Sequence, residues 1–247
     1  MKICIAQLKP LKGDISANVG KHEILIRLAA ELEAAAVFFP ELSLTAYEPE
    51  IAKDLATSQD DPRLDVFQQI SDDKKMAIGL GLPTRTGMGV QISIIIFQPH
   101  QERQSYSKQQ LHVDELTYFV HGDKQAILTI ENIKIAPAIC YESLQMDHAE
   151  EASRLGAEIY LASVAKSQSG INKAMSHYPV VARRFSMPVL MANCVGYCDN
   201  FHSFGTSSVW TKHGELVGQL GSDHEGLLVF DTETEDVIEH RCSFLQV

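Results

Sequence analysis

Two hydrophobic rhythms take turns along this chain, and their alternation limits the fold more than any other feature. Short apolar runs at 2–7, 37–39, 76–82, 134–139, 158–162 and 189–193 have the length and β-branched content of strands. Between them, longer segments repeat apolar residues at helical spacing. The first is capped by Ser16 or Asn18 and runs to about residue 36, with Ile24, Leu25, Leu28, Leu32 and Ala35 on one face. Others span 62–75, 145–155 and 172–187. In the middle the period changes. Residues 89–98 and 103–107 read as strands paired across Pro99-His100-Gln101, and 126–130 pairs with 134–139 across Glu131-Asn132. Strands at 207–210, 216–219 and 227–231 finish the pattern, and Pro83 is expected to close the strand before it. Alternating β and α segments with hairpins between them predict an α/β protein with mixed sheets covered by helices. No linker, repeat or low-complexity stretch interrupts the pattern, so one domain over 1–247 is expected.

Composition narrows the function. With 45% hydrophobic and 21% charged residues the chain can fill a sizeable core. Its formal charge of -11 repels phosphate backbones and anionic lipid, so neither a nucleic acid nor a membrane is expected as partner. The longest apolar runs, such as 92–97, are strand-sized, and the short apolar start runs into Lys9 and Lys12. A cytoplasmic location follows as the expectation. Five cysteines, an odd number, argue against a disulfide scaffold.

Three residues stand at the ends of apolar strands. Cys140 closes Ile135-Ala136-Pro137-Ala138-Ile139 just before a helical segment. A sharp strand-to-helix turn would expose the thiol, and backbone N–H groups with a helix dipole would lower its pKa. A buried structural cysteine is the ordinary alternative. Glu41 follows Phe38-Phe39-Pro40, where an unpaired carboxylate is costly and a desolvated one suits acid–base work. A helix N-terminal or solvated loop carboxylate would look the same. Lys108 follows Gln104-Ser105-Tyr106-Ser107. It has the charge to neutralise an oxyanion, although most lysines at such places are solvated. Thiol, carboxylate and ammonium together are what acyl transfer needs, at the strand ends where α/β sheets place ligands.

The order and wording of these blocks resemble the nitrilase superfamily of carbon–nitrogen hydrolases. The matching stretches are Ile5-Ala6-Gln7, Phe39-Pro40-Glu41-Leu42 with Leu44-Thr45-Ala46-Tyr47, Tyr106-Ser107-Lys108 with Leu111, and Ile139-Cys140-Tyr141-Glu142. Later matches are Gly156-Ala157-Glu158, Asn193-Cys194-Val195-Gly196 and Phe204-Gly205-Thr206-Ser207-Ser208. The resemblance implies a four-layer α-β-β-α sandwich with two mixed sheets, and homodimers or larger homo-oligomers. It implies Glu41 as base, Lys108 as oxyanion partner, Cys140 as nucleophile and Glu115 as a second glutamate that orients the site. It also implies a small linear amide as substrate, with no metal and no cofactor. Tyr47, Tyr141, Glu142 and Val164 are the expected pocket wall. The chain departs from the pattern at Gln110, at Ser143 to Asp147 and at Arg183 to Met187. Acyl transfer to an amine and a silent binding scaffold are the alternative functions. Redox chemistry ranks last because no C-x-x-C exists. Cys194 and Cys198 are three residues apart, without the second pair a metal site would need. His177 is expected at the surface, with a place in the pocket wall as the alternative.

Overall fold

The computed structural model describes residues 1–242. In chain order its elements are β1 (Lys2–Gln7), α1 (Ile15–Glu31), β2 (Ala36–Phe38), α2 (Pro49–Leu55), α3 (Asp65–Lys74), β3 (Ala77–Thr86), β4 (Gly89–Phe97) and β5 (Gln104–Ser107). Then come β6 (Leu128–Ile130), β7 (Ile133–Ile139), α4 (Met146–Arg154), β8 (Ile159–Val164), α5 (Gln168–Phe185) and β9 (Val189–Asn193). The hairpin β10 (Val195–Cys198) and β11 (Phe201–Phe204) precedes β12 (Ser208–Trp210), β13 (Leu216–Gln219), β14 (Glu225–Asp231) and β15 (Val237–Cys242).

Two mixed sheets result. The first has the order β15-β14-β1-β2-β3-β4-β5 and the second β13-β12-β9-β8-β7-β6. Each is parallel at its centre, through β1-β2-β3 and β7-β8-β9, and antiparallel outside it. The sheets face each other across one apolar layer that includes Ile3, Ile5, Phe38, Ile94, Ile135, Leu161 and Leu190. Leu25, Ile26, Phe67 and Ile70 of α1 and α3 cover the outer face of the first sheet. Ala149, Ala152, Ile171, Tyr178 and Val181 of α4 and α5 cover the second. The layers therefore run α-β-β-α, as the resemblance implies. Period-two alternation drives the split. In β8, Ile159 and Leu161 enter the central layer, while Tyr160, Ala162 and Val164 face the helices.

Several local expectations need correction. Asp14 caps α1, accepting from Ala17 N–H at 3.0 Å. Asn18 is instead buried inside the helix, holding Leu11 and the Leu44 carbonyl. Pro83 does not end β3, which runs on to Thr86; its carbonyl accepts from Thr57 N–H at 3.2 Å. The helix α5 starts at Gln168, ahead of residue 172, and α2, the β10–β11 hairpin and β15 had no counterpart in the pattern. No helix of the described residues is long and apolar enough to cross a membrane.

Candidate active site

The parallel strands of both sheets deliver their C-terminal ends to one place. From β2 the chain passes through Phe39-Pro40 to Glu41, in a loop that folds over β3. Gly81 permits that approach: a Cβ there would come within 2.4 Å of Leu42 N and 2.6 Å of the Pro40 carbonyl. From β7 the chain reaches Cys140, whose φ of 46° is left-handed and sterically strained for a residue with a side chain. The turn that follows, Glu142–Leu144, is 3₁₀, and α4 begins only at Met146. Cys140 thus sits on the sharp turn that its sequence context predicts. Lys108 directly follows β5 and donates its backbone N–H to the Ile92 carbonyl at 2.9 Å.

The side chains meet. Lys108, fully buried, places Nζ 2.8 Å from Glu41 Oε1 and 2.6 Å from Glu115 Oε1. Glu115 has no oxygen to spare. Its Oε1 also accepts from the Tyr47 hydroxyl at 2.9 Å and its Oε2 from His112 N–H at 2.7 Å. Glu41 Oε2, by contrast, is buried without a hydrogen-bond partner among the described residues. The Cys140 thiol donates to the Ala165 carbonyl at 3.6 Å.

Burial dominates the electrostatics. It pushes the Cys140 thiol up to about 12, aided by the Glu41 charge and opposed by Lys166 and Lys108. The expected α-helix does not start at the cysteine, which is followed by a 3₁₀ turn. Burial and the Glu115 charge raise the Glu41 pKa above the usual carboxylate range, against the pull of Lys108. Burial works against the Lys108 charge too, but the Glu41 and Glu115 carboxylates prevail and hold it protonated. At neutral pH the resting site therefore holds a neutral thiol and a protonated Lys108.

A cavity of about 530 Å³ opens onto this cluster, with Tyr47, Lys108, Glu115, Cys140 and Tyr141 in its wall. Tyr47 and Tyr141 therefore stand where sequence reading puts them. Glu142 and Val164 do not. Glu142 is fully buried behind the wall and accepts from Tyr106 Oη, Ile139 N–H and Gln109 N–H at 2.6, 2.7 and 2.7 Å. Val164 packs against the helix layer because its parity along β8 turns it from the cavity. His177 lines the cavity rather than the surface. Lys166, which sequence reading passed over, is 4% exposed with Nζ 3.8 Å from Cys140 Sγ. Its signal was present: like Glu41, it is a charged residue shortly after an apolar strand. Cys194 and Cys198 lie buried with their sulfurs 3.5 Å apart, both unbridged.

A thiol and a buried ammonium in the wall of one cavity, with a carboxylate that keeps one open oxygen bonded to that ammonium, are the groups that cysteine-dependent acyl transfer requires. The carbon–nitrogen hydrolase family model matches residues 2–241, and the chain belongs to that family. The amidase of Nesterenkonia sp. AN1 has the same fold at a TM-score of 0.86, with 23% identity over 95% of this chain and 94% of that one. A cysteine-to-alanine variant of that amidase, in complex with butyramide, matches at 0.86 with 24% identity over 95% and 92%. The glutamine-dependent NAD(+) synthetase of Thermotoga maritima is 23% identical over 96% of this chain. The chain spans 42% of that relative's length.

Proposed function

We propose that this chain hydrolyses a small linear amide through a thioester on Cys140, with Glu41 as the proton shuttle and Lys108 as the oxyanion partner. The observation that carries the reading is the unpartnered Oε2 of Glu41. It is the one carboxylate oxygen of the buried cluster free to receive a proton. Because the resting thiol is neutral, attack on the amide carbon requires its proton to leave as the S–C bond forms. Glu41 takes that proton. The tetrahedral oxyanion is met by the Lys108 ammonium and the backbone N–H of Tyr141. Glu41 then protonates the leaving nitrogen, and ammonia or an amine departs. Glu41 next takes a proton from water, which attacks the thioester to release the acid and regenerate the thiol. Glu115, saturated by three donors, anchors Lys108 rather than moving protons.

Amide hydrolysis is favoured over acyl transfer by similarity to a solved amidase that accommodates butyramide. The test is ammonia release from a panel of aliphatic amides. Cys140→Ala should lower kcat/KM by roughly 10⁴-fold or more, and Glu41→Gln by about 10²–10⁴-fold. Mass spectrometry should find the acyl adduct on Cys140. Full turnover in either variant would end the proposal.

A further inference from the structure

The peptide of the nucleophile is held by groups that the amide chemistry does not use. Cys140 has a φ of 46°, a conformation that a residue with a side chain keeps only when its surroundings hold it there. Its carbonyl accepts from the Ser143 hydroxyl at 2.5 Å and from Lys166 Nζ at 3.3 Å. The hydroxyl oxygens of Ser143 and Tyr178 lie 2.6 Å apart. A serine hydroxyl has one proton. Ser143 gives it to the carbonyl, so Tyr178 is the donor to Ser143. Two hydroxyls therefore run in series from α5 to the Cys140 carbonyl. Both side chains are fully buried, and neither residue lines the cavity. The Tyr178 ring is fixed edge-on to Trp210, with centroids 5.3 Å apart. The other side of this peptide is open. The Cys140 N–H is taken by the Ser163 carbonyl at 3.0 Å, whereas the Tyr141 N–H has no hydrogen-bond partner among the described residues. Tyr141 stands in the cavity wall.

We infer that Tyr178 and Ser143 are positioning residues for the oxyanion: by holding the Cys140 carbonyl they aim the Tyr141 N–H into the cavity and strengthen it as a donor. This rests on the amidase reading, in which that N–H meets the oxyanion. The Cys140–Tyr141 peptide is trans, so its C=O and N–H point in opposite directions and fixing one fixes the other. Hydrogen bonds in series also polarise one another. A polarised carbonyl draws density from the amide nitrogen through the resonance that keeps the peptide planar, and its N–H becomes the better donor. Neither hydroxyl bonds to the sulfur, Glu41 or Lys108. Losing either one loosens the peptide plane and leaves the three reacting groups in place.

Reactions of Cys140 that build an oxyanion are compared with one that does not. Amide turnover builds one. So does butanal, to whose carbonyl carbon the sulfur adds reversibly as the thiol proton passes to Glu41. Methyl methanethiosulfonate has no carbonyl: the sulfur bonds to its methylthio group, methanesulfinate leaves, and the thiol proton again passes to Glu41. Ser143→Ala should lower kcat by about 10–10²-fold, and Tyr178→Phe, which keeps the ring, by about 3–10-fold, with KM little changed. Because the hydroxyls act in series, the double variant should be no slower than Ser143→Ala alone. Labelling of Cys140 by the thiosulfonate, followed by mass spectrometry, should keep its wild-type rate in every variant. Protection of Cys140 by butanal should weaken by a factor similar to the loss in kcat. Unchanged protection overturns the inference. So does labelling slowed as much as turnover, which would place the effect on the thiol, and so do additive losses in the double variant. If the wild type turns over no amide, the amidase reading fails, and butanal protection still decides the inference. A wild type that butanal does not protect either would sink both. Should Ser143→Ala not fold, Tyr178→Phe carries the comparison.

Discussion

Glu41 and Glu115 share one ammonium, yet their surroundings separate their roles. Three donors saturate Glu115, whereas Glu41 keeps an open oxygen. The pH profile should report Glu41 directly. In the proposed mechanism its carboxylate is the active form, and its pKa is raised, so kcat/KM should fall as pH drops through a value above the ordinary 4.5. Lys108 opposes that rise. In Lys108→Met the residual activity, down about 10²–10³-fold, should show its acid limb at higher pH. A limb at or below the ordinary value in both proteins would remove Glu41 from the proton transfers. Of the residues at the site, Cys140, Glu41 and Lys108 were legible because each ends an apolar strand and carries complementary chemistry. Tyr47 and Glu115 became legible only through resemblance, since a loop tyrosine and a carboxylate beside Asp114 look solvated in one dimension. Lys166 was missed for the reason Lys108 alone would have been: a lone strand-end lysine normally reaches water.

At the scale of elements, Glu142 joins the two strands whose ends carry the chemistry. One oxygen accepts from Ile139 N–H beside Cys140, and the other from Gln109 and Gln110 N–H beside Lys108, at 2.7 and 3.2 Å. Burial raises its pKa to about 7 against the pull of these donors. It therefore sets the spacing between nucleophile and ammonium from behind the cavity. Replacing it with glutamine turns an amide NH₂ toward groups that are themselves donors. Glu142→Gln should cost about 1–3 kcal/mol, read as a lower Tm, and should lower kcat far more than it raises KM. A change in KM alone would return Glu142 to the substrate-contact role that its sequence position suggests. The strands and long helices were legible from periodicity, because each buries a face. The boundaries that failed depend on tertiary partners. β3 continues past Pro83 because Thr57 supplies a donor to that carbonyl, and β10 and β11 pair chiefly with each other. The misplacement of Val164 was avoidable, since alternation from Ile159 and Leu161 already turns it toward the helices.

Over the whole molecule, the site exists only if the two sheets hold a fixed offset, because Glu41 comes from one and Cys140 from the other. The apolar layer between them is non-directional and does not set that offset by itself. Ser163 bridges the two sheets at the site. Its hydroxyl donates to the Phe39 carbonyl at 2.6 Å, joining β8 of the second sheet to the end of β2 in the first. Its own carbonyl accepts the Cys140 N–H at 3.0 Å. One residue thus touches the approach to Glu41 and the backbone of the nucleophile. Ser163→Ala leaves a buried carbonyl unpaired, which should cost about 1–3 kcal/mol and lower Tm by about 2–4 °C per kcal/mol in a chain of this size. If the bond sets the offset, kcat should fall with KM little changed. Ser71 is the matched comparison. It is equally buried, under the outer face of the first sheet, but its hydroxyl has no partner among the described residues. Ser71→Ala removes an unsatisfied group and should leave Tm unchanged or slightly raised, with activity intact. Equal melting and equal turnover in the two variants would show that the Ser163–Phe39 bond does not set the offset.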